Sequence, residues 1–337
     1  LALRVYTTRL LGGEPRLVLH GGGNTSLKTK ATDILGHEWD VLCVKGSGWD
    51  MGVIEPAGLP AVKLAPLLEA RRLDRLGDED MVALQRANLL DPGAPNPSIE
   101  TLLHAFLPHK FVDHTHSTAI LALVDQKDSE PIYREVFGRR LGFVPYIKPG
   151  FDLAKAAADA DPSVEGLILD KHGIFTFAET AKDAYGLMIE FVTLAEEHVA
   201  KGKRPFTPVK LPAALATPAE IGPYLRGAIA IPERDGGWGR MVSDFRTSQK
   251  ILDYVNAESA DDLAKRGVST PDLSIRIKTG PMVLPAPEAG KLDDYGKAIR
   301  ERVAEFSARY RRYFEENDAR DDVKRTMLDT MPRLTLV

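Results

Sequence analysis

Short apolar strands alternating with helix-period segments through residues 1–200 predict an α/β domain, and a proline-rich break followed by charged helical segments predicts a smaller helical or mixed region behind it. The opening LALRVYTTRLL reads as the middle of a helix. RLVLH (16–20) and DVLCVKGSG (40–48) read as strands, the second ending on a glycine turn. GLPAVKLAPLLEARRL (58–73) mixes turn and helix signals. In SIETLLHAFL (98–107), Pro97 and Ser98 mark a helix start, and apolar residues follow at 102, 103, 106 and 107. KFVDHTHSTAILALV (110–124) runs from a strand into an apolar stretch. GLILDKHGIFTFA (166–178) reads as two strands around a turn at Lys171-His172-Gly173. The clearest helix is 180–201, where Thr180 and Asp183 form a capping pair and Ala184, Leu187, Met188, Phe191, Leu194 and Ala195 form an apolar stripe. Four prolines between 205 and 218 then divide the chain into domains 1–204 and 205–337. Helical patterns follow at 240–266 and 291–317.

Composition bounds the function classes. The 337 residues are 44% hydrophobic and 27% charged, an ordinary globular balance able to bury a core. A net charge of −4 with interspersed signs gives no nucleic-acid footprint. No apolar run reaches the roughly 18–20 residues of a membrane span. The single cysteine, Cys43, excludes an internal disulfide and a cysteine-rich zinc site, and suits a reducing cytoplasm. A leucine start already inside a helix pattern, and a stop on PRLTLV, read as a piece of a longer polypeptide.

The segment LHGGGNTSLK (19–28) places three glycines ahead of a polar triplet. A dinucleotide fingerprint would need a third spaced glycine where Ser26 stands, and a nucleotide P-loop would need glycine where Leu27 precedes Lys28. Unhindered N–H groups, with Asn24, Thr25 and Ser26 beside them, suit a small phosphate or an oxyanion. The plain alternative is a tight turn.

Two of the eight histidines lie in DHTHST. On a strand, His114 and His116 share a face roughly 7 Å apart along the backbone, a workable bite for one metal ion. His172 lies at a strand end beside Gly173, and Glu100 in the first turn of a helix could add an oxygen. Three nitrogens and one displaceable oxygen form the open pattern of catalytic zinc. Each has a plainer reading: an incidental pair, a polar turn residue, a charge favoured by the helix dipole. His104, one turn after Glu100, reads as a core histidine or one supporting the ligands from behind. His20, His37, His109 and His198 read as structural.

Together these motifs resemble the class II aldolase/adducin family over residues 16–200. GGGNTSLK resembles its G-N-[VIT]-S loop, VKGSGWDM its K-P-[ST]-G turn, and PSIETLLHAFL its P-S-S-E-x-x-x-H helix start. VDHTHSTAILAL is similar to its H-x-H strand, and LILDKHGIFTFAETAKDAYGLMIEFV to its L-x-x-x-H-G segment and following helix. LRGAI, GVSTPDLSIRIKTGP and PRLTLV resemble the middle of the bifunctional rhamnulose-1-phosphate aldolase/alcohol dehydrogenase family, in which a short-chain dehydrogenase domain follows.

The resemblance implies a three-layer domain with a central, mostly antiparallel sheet, and a homo-oligomer, tetrameric in that family, with sites between subunits. It implies Zn²⁺ on His114, His116 and His172, with Glu100 as the acid/base that also coordinates the metal before substrate arrives. Gly23, Asn24, Thr25, Ser47, Gly48 and Ser98 would hold the phosphate and enediolate oxygens of a sugar phosphate. The implied reaction is retro-aldol cleavage of a ketose 1-phosphate such as L-rhamnulose 1-phosphate to dihydroxyacetone phosphate and lactaldehyde. Ile99 stands where phosphate-binding members often carry a second serine, Gly46 replaces the usual proline, and the stretch from Glu100 to His114 is short. Alternatives are a sugar-phosphate epimerase on the same site, a non-catalytic adducin-like assembly module, and dehydrogenase activity in a further C-terminal domain. For that last activity these residues supply neither a cofactor loop nor a Tyr-x-x-x-Lys pair; Tyr254 is followed at the fourth place by Glu258.

Overall fold

The computed structural model describes residues 1–202, 205–233, 235–320 and 324–337. It forms two compact units, Leu1–Lys203 with Ser269–Asp272, and Arg204–Val268 with Leu273–Val337.

The first unit is built on a seven-stranded sheet: β1 (Asn24–Thr32), β2 (Glu38–Val44), β3 (Ala61–Lys63), β4 (Phe111–Thr115), β5 (Leu141–Val144), β6 (Gly166–Leu169) and β7 (Gly173–Ala178). The strand order is β3-β2-β1-β4-β7-β6-β5. Only β5 and β6 pair in parallel. Helices α1 (Ala2–Gly12), α2 (Leu64–Ala70), α3 (Asp78–Ala87), α4 (Thr101–Phe106), α5 (Thr118–Val124), α6 (Ser129–Phe137), α7 (Phe151–Ala158) and α8 (Ala181–Lys201) surround it. Strand alternation sends Leu167, Leu169 and Phe175 to one core with Leu102, Leu103 and Phe151. Ile168 and Ile174 face the other, with Leu11, Ile120, Met188 and Phe191. This is a three-layer α/β/α sandwich on a mostly antiparallel sheet. Thr180 caps α8, its hydroxyl accepting the Asp183 N–H at 3.1 Å.

Two local expectations change. RLVLH forms no strand: Leu17 and Val18 are buried, but the chain turns there, with Leu17 N–H donating to Glu14 O at 2.9 Å and Gly22 N–H to Leu19 O at 3.0 Å. The run is apolar because its side chains enter the core, not because its backbone pairs. The strand starts at Asn24 instead, in NTSLKTKAT, whose composition hides it. Asn24, Thr25 and Ser26 are buried polar residues, and each finds a hydrogen-bonding partner.

The second unit holds α9 (Pro218–Ala228), α10 (Gln249–Val255), α11 (Ala260–Lys265), most of α12 (Pro271–Ile277) and α13 (Leu292–Asp318). Its two-stranded pairs are β8 (Ile231–Pro232) with β9 (Trp238–Gly239), and β10 (Met282–Val283) with β11 (Thr335–Leu336). Thr217 and Glu220 close a reciprocal capping box on α9. Ile221, Met282, Ile299, Val303 and Phe306 form a core of its own. Among the described residues no helix is long and apolar enough to cross a membrane.

Candidate metal centre

The centre of the sheet brings the chemistry together. Asn24 of β1 lies opposite His114 of β4, and on the other side of β4 His114 lies opposite Phe175. The His114 ring stacks on Phe175, with centroids 4.0 Å apart and planes 13° apart. His116 follows at the end of β4, and His172 sits in the turn between β6 and β7. That turn is tight: Lys171 takes a left-handed φ of 55°. Gly173 clears space, since a Cβ there would come within 2.5 Å of Thr115 O and 3.1–3.2 Å of the His114 and His116 rings.

One ring nitrogen from each of His114, His116 and His172 lies within 4.8 Å of the others. All three residues are buried. Burial holds His114 well below the usual imidazole range and also depresses His172, which favours in both the neutral form that can ligate a metal. His114 Nδ1 lies 3.0 Å from Ile174 O, which can only accept, so Nδ1 carries the proton. His116 Nδ1 lies 3.1 Å from both oxygens of Asp272, by the same argument a donor. With both rings neutral, the lone pairs on the two Nε2 atoms face each other across 3.0 Å. Two neutral acceptors in that position repel, and a shared cation removes the repulsion. The donor set fits a divalent transition metal.

Glu100 occupies the N-cap position of α4, with Oε1 3.3 Å from His172 Nε2 and Oε2 3.5 Å from His114 Nε2. Its Oε2 accepts from Asn24 Nδ2 at 2.6 Å, whereas buried Oε1 has no hydrogen-bond donor. Asn24 is aligned from behind by His104, whose Nε2 donates to Asn24 Oδ1 and whose Nδ1 accepts from Ser26 Oγ at 2.8 Å. Burial lowers His104 to about 3, so it stays neutral in this relay. The reading of His104 as a supporting residue matches this geometry.

The remaining expected residues divide. Ser98 Oγ accepts from Asn24 Nδ2 at 3.1 Å and from Glu100 N–H at 3.3 Å, keeping its own proton for a ligand. Ser47 and Gly48 are exposed on a loop laced to that of Ser98: Ser98 N–H donates to Lys45 O at 3.0 Å, and Ser47 N–H to Asn96 O at 2.7 Å. Gly48 has φ of 79°. Gly23 has φ of 56°, and a Cβ there would stand 2.7 Å from His114 O. Thr25 does not join the group. Strand alternation turns it to the opposite face of β1, where its hydroxyl meets Thr8 Oγ1 at 2.6 Å, and a substrate-binding side chain is replaced by a core contact.

The sequence reading missed two residues that the fold brings here. Lys45 is buried and donates to Gly21 O at 3.2 Å; burial lowers it to about 8, opposed by the charges of Glu100, Asp272 and Asp50. Its signal was a lysine closing an apolar strand. Asp272 lies in GVSTPDLSIRIKTGP, a stretch that carried the resemblance, but nothing local tied it to this centre.

The fold and this centre define a class II aldolase-type domain. Residues 3–199 match the family described as the class II aldolase and adducin N-terminal domain, and residues 216–337 match the family described as aldolase class II, second domain. The chain belongs to the class II aldolase/adducin family. It is 31% identical over 345 residues to the uncharacterized oxidoreductase YuxG of Bacillus subtilis, across 99% of this chain and 49% of that protein. It is 32% identical over 117 residues to an L-fuculose phosphate aldolase of Methanococcus vannielii (33% of this chain, 64% of that one). A methylthioribulose-1-phosphate dehydratase of Pseudomonas savastanoi is 28% identical over 176 residues (45% of this chain, 86% of that one). The chain thus spans about half the length of the first relative and under two thirds of the second. The N-terminal class II aldolase domain of a conserved Thermoplasma acidophilum protein superposes with a TM-score of 0.56 at 41% identity, covering 58% of this chain and 92% of that one.

Proposed function

We propose that this chain is a divalent-metal-dependent lyase cleaving a ketose 1-phosphate, with L-rhamnulose 1-phosphate as candidate substrate and dihydroxyacetone phosphate and lactaldehyde as products. The observation that carries this reading is three histidine nitrogens within 4.8 Å, with Glu100 oxygens 3.3 and 3.5 Å from two of them. His114, His116, His172 and Glu100 would hold Zn²⁺, the preferred ion, and the same donors suit iron, manganese or cobalt. Bound there, the ion would supply Lewis-acid polarisation of substrate oxygens, worth several kcal/mol.

The chain's own groups do the rest. Asn24 pins Glu100 Oε2, which leaves Oε1 as the oxygen free to take up and return a proton. Ser98, with a proton to donate, and the Ser47-Gly48 loop beside it would seat the phosphate, together with the backbone at Gly23. The fuculose phosphate aldolase relative supports the substrate class. Exposed Leu3, Tyr6 and Leu10, which share one side of α1, support a homo-oligomer. A second reading, elimination of water from a ketose phosphate, is favoured by the dehydratase relative and uses the same acid–base group.

The test is release of dihydroxyacetone phosphate from L-rhamnulose 1-phosphate, with and without a chelator. Release that the chelator abolishes and Zn²⁺ restores supports the proposal. Zinc binding without release overturns the substrate, and product analysis then separates dehydration from epimerisation. Neither binding nor release leaves an assembly module.

A further inference from the structure

We infer that Asp272 is a positioning residue for the metal ligand His116, and that Gly22 is glycine in order to admit it. This rests on the metal-centre reading above and adds to it a residue 156 positions beyond His116 in the chain. Among the described residues, Ser269–Asp272 is the stretch outside the first two hundred or so that belongs to the first unit.

Three observations meet at this carboxylate. Asp272 is 3% exposed, too buried to be an ordinary surface charge. Both of its oxygens lie 3.1 Å from His116 Nδ1, on the far side of the ring from the Nε2 that faces His114. A carboxylate there fixes the tautomer, orients the ring and raises the basicity of the nitrogen turned toward the metal. His114 receives only a backbone carbonyl in the corresponding place, so His116 is the ligand whose donor strength is set by a charge.

The third observation is in the glycine loop. A Cβ on Gly22 would stand 1.4 Å from Asp272 Oδ1 and 2.3 Å from its Cγ. The carboxylate is one methylene from its backbone and cannot swing clear of that atom while keeping His116. Gly21 and Gly23 have φ of 82° and 56° and are glycine for their backbone conformation. Gly22 is glycine for its neighbour. The triple glycine therefore serves two purposes, and one is to seat a side chain of this protein.

The experiment measures Zn²⁺ affinity by competition with a chromophoric chelator, and the visible spectrum of the Co²⁺-loaded protein. Wild type is compared with Asp272→Ala, Asp272→Asn and Gly22→Ala. Asp272→Ala is expected to bind Zn²⁺ about 10–100-fold more weakly, with an altered cobalt spectrum. Gly22→Ala is expected to shift both in the same direction although Asp272 is still present. Should Asp272→Ala fail to fold, the nearly isosteric Asp272→Asn decides, with an expected loss of about tenfold. Zn²⁺ affinities within about twofold of wild type and unchanged cobalt spectra, even at a lowered melting temperature, would make Asp272 a structural partner only and overturn the inference. Wild-type protein that binds neither ion would instead remove the metal centre itself, and this assignment with it.

Discussion

Two buried polar clusters lie back to back on β1 and β4, and they differ in how their charges are matched. On one face, Asn24 and His114 are cross-strand partners. On the other, Thr25 and Asp113, the adjacent pair, meet Arg4 and Thr8 of α1. The Arg4–Asp113 ion pair is 2.6 Å long and fully buried, and Thr8 Oγ bonds both Arg4 O and Thr25 Oγ1 at 2.6 Å. That cluster is closed by charge: cation and carboxylate meet directly, although Asp113 Oδ2 has no hydrogen-bond partner among the described residues. On the histidine face, Glu100 Oε1 and His172 Nδ1 are buried without hydrogen-bond partners among the described residues, and two ring nitrogens lie 3.0 Å apart. A buried polar atom left unpaired costs roughly 1–3 kcal/mol, and on the histidine face a bound cation would offset that cost. The charge-closed cluster serves stability; the open one is the cluster that a cation would complete.

The largest effect expected from this contrast is on rate. Glu100→Gln removes the free carboxylate oxygen and is expected to lower kcat by about 10²–10⁴-fold in the metal-loaded protein. The same substitution replaces a buried carboxylate oxygen that has no hydrogen-bond donor among the described residues, so the melting temperature of the metal-free protein is expected to hold or rise. A variant that loses both activity and stability would show that the open cluster is also structural.

Across the sheet the reverse is expected. Arg4→Ala leaves Asp113 buried without its counter-charge, which costs about 3–5 kcal/mol in urea unfolding. Zn²⁺ affinity of the remaining folded protein should not move. A weakened metal site in that variant would mean that the two faces are coupled through β4.

Acid should also separate the faces. Burial lowers His104 to about 3, from an ordinary value near 6.5. Below pH 6.5 the unfolded chain takes up a proton that the folded one refuses, so stability is lost as pH falls from 6.5 toward 3. One such group contributes a slope of about 1.4 kcal/mol per pH unit. In metal-free protein, His104→Gln is expected to flatten the unfolding free energy against pH by about that amount. An unchanged slope would mean that His104 is already protonated in the fold, with Nδ1 donating to Ser26 Oγ instead of accepting from it.

How much of this the sequence made legible follows the same division. The α/β class, the α8 cap and the three histidines were readable because each leaves a local pattern: alternation, a capping pair, H-x-H on a strand, a histidine before a turn glycine; the layering came from the family resemblance. β1 was not readable, since a strand buried on both faces with Asn, Thr and Ser on it has no apolar signature. Its burial is stabilised by partners from distant segments, Thr8, Glu100 and His104. Asp272 was hidden for the same reason, as no short-range rule ties TPDLS to a histidine 156 residues earlier. Gly22 was visible as a glycine, but its reason was not, because that reason is another side chain.

Thr25 offers the smallest effect and the finest test of which face a residue serves. It adjoins Asn24, and by sequence both belong to one polar loop motif. Thr8 Oγ uses its proton on Arg4 O, so Thr25 is the donor in their contact. Thr25→Val keeps the shape and loses that donor, while Thr8 still has Arg4 Nε at 3.3 Å. The expected cost is about 1 kcal/mol in unfolding, with kcat, KM and Zn²⁺ affinity unchanged. Asn24→Ala, one residue away, removes the donor that pins Glu100 and is expected to change activity at comparable stability. If Thr25→Val instead raises KM, its hydroxyl reaches the substrate after all, and the sheet does not divide the two clusters at β1.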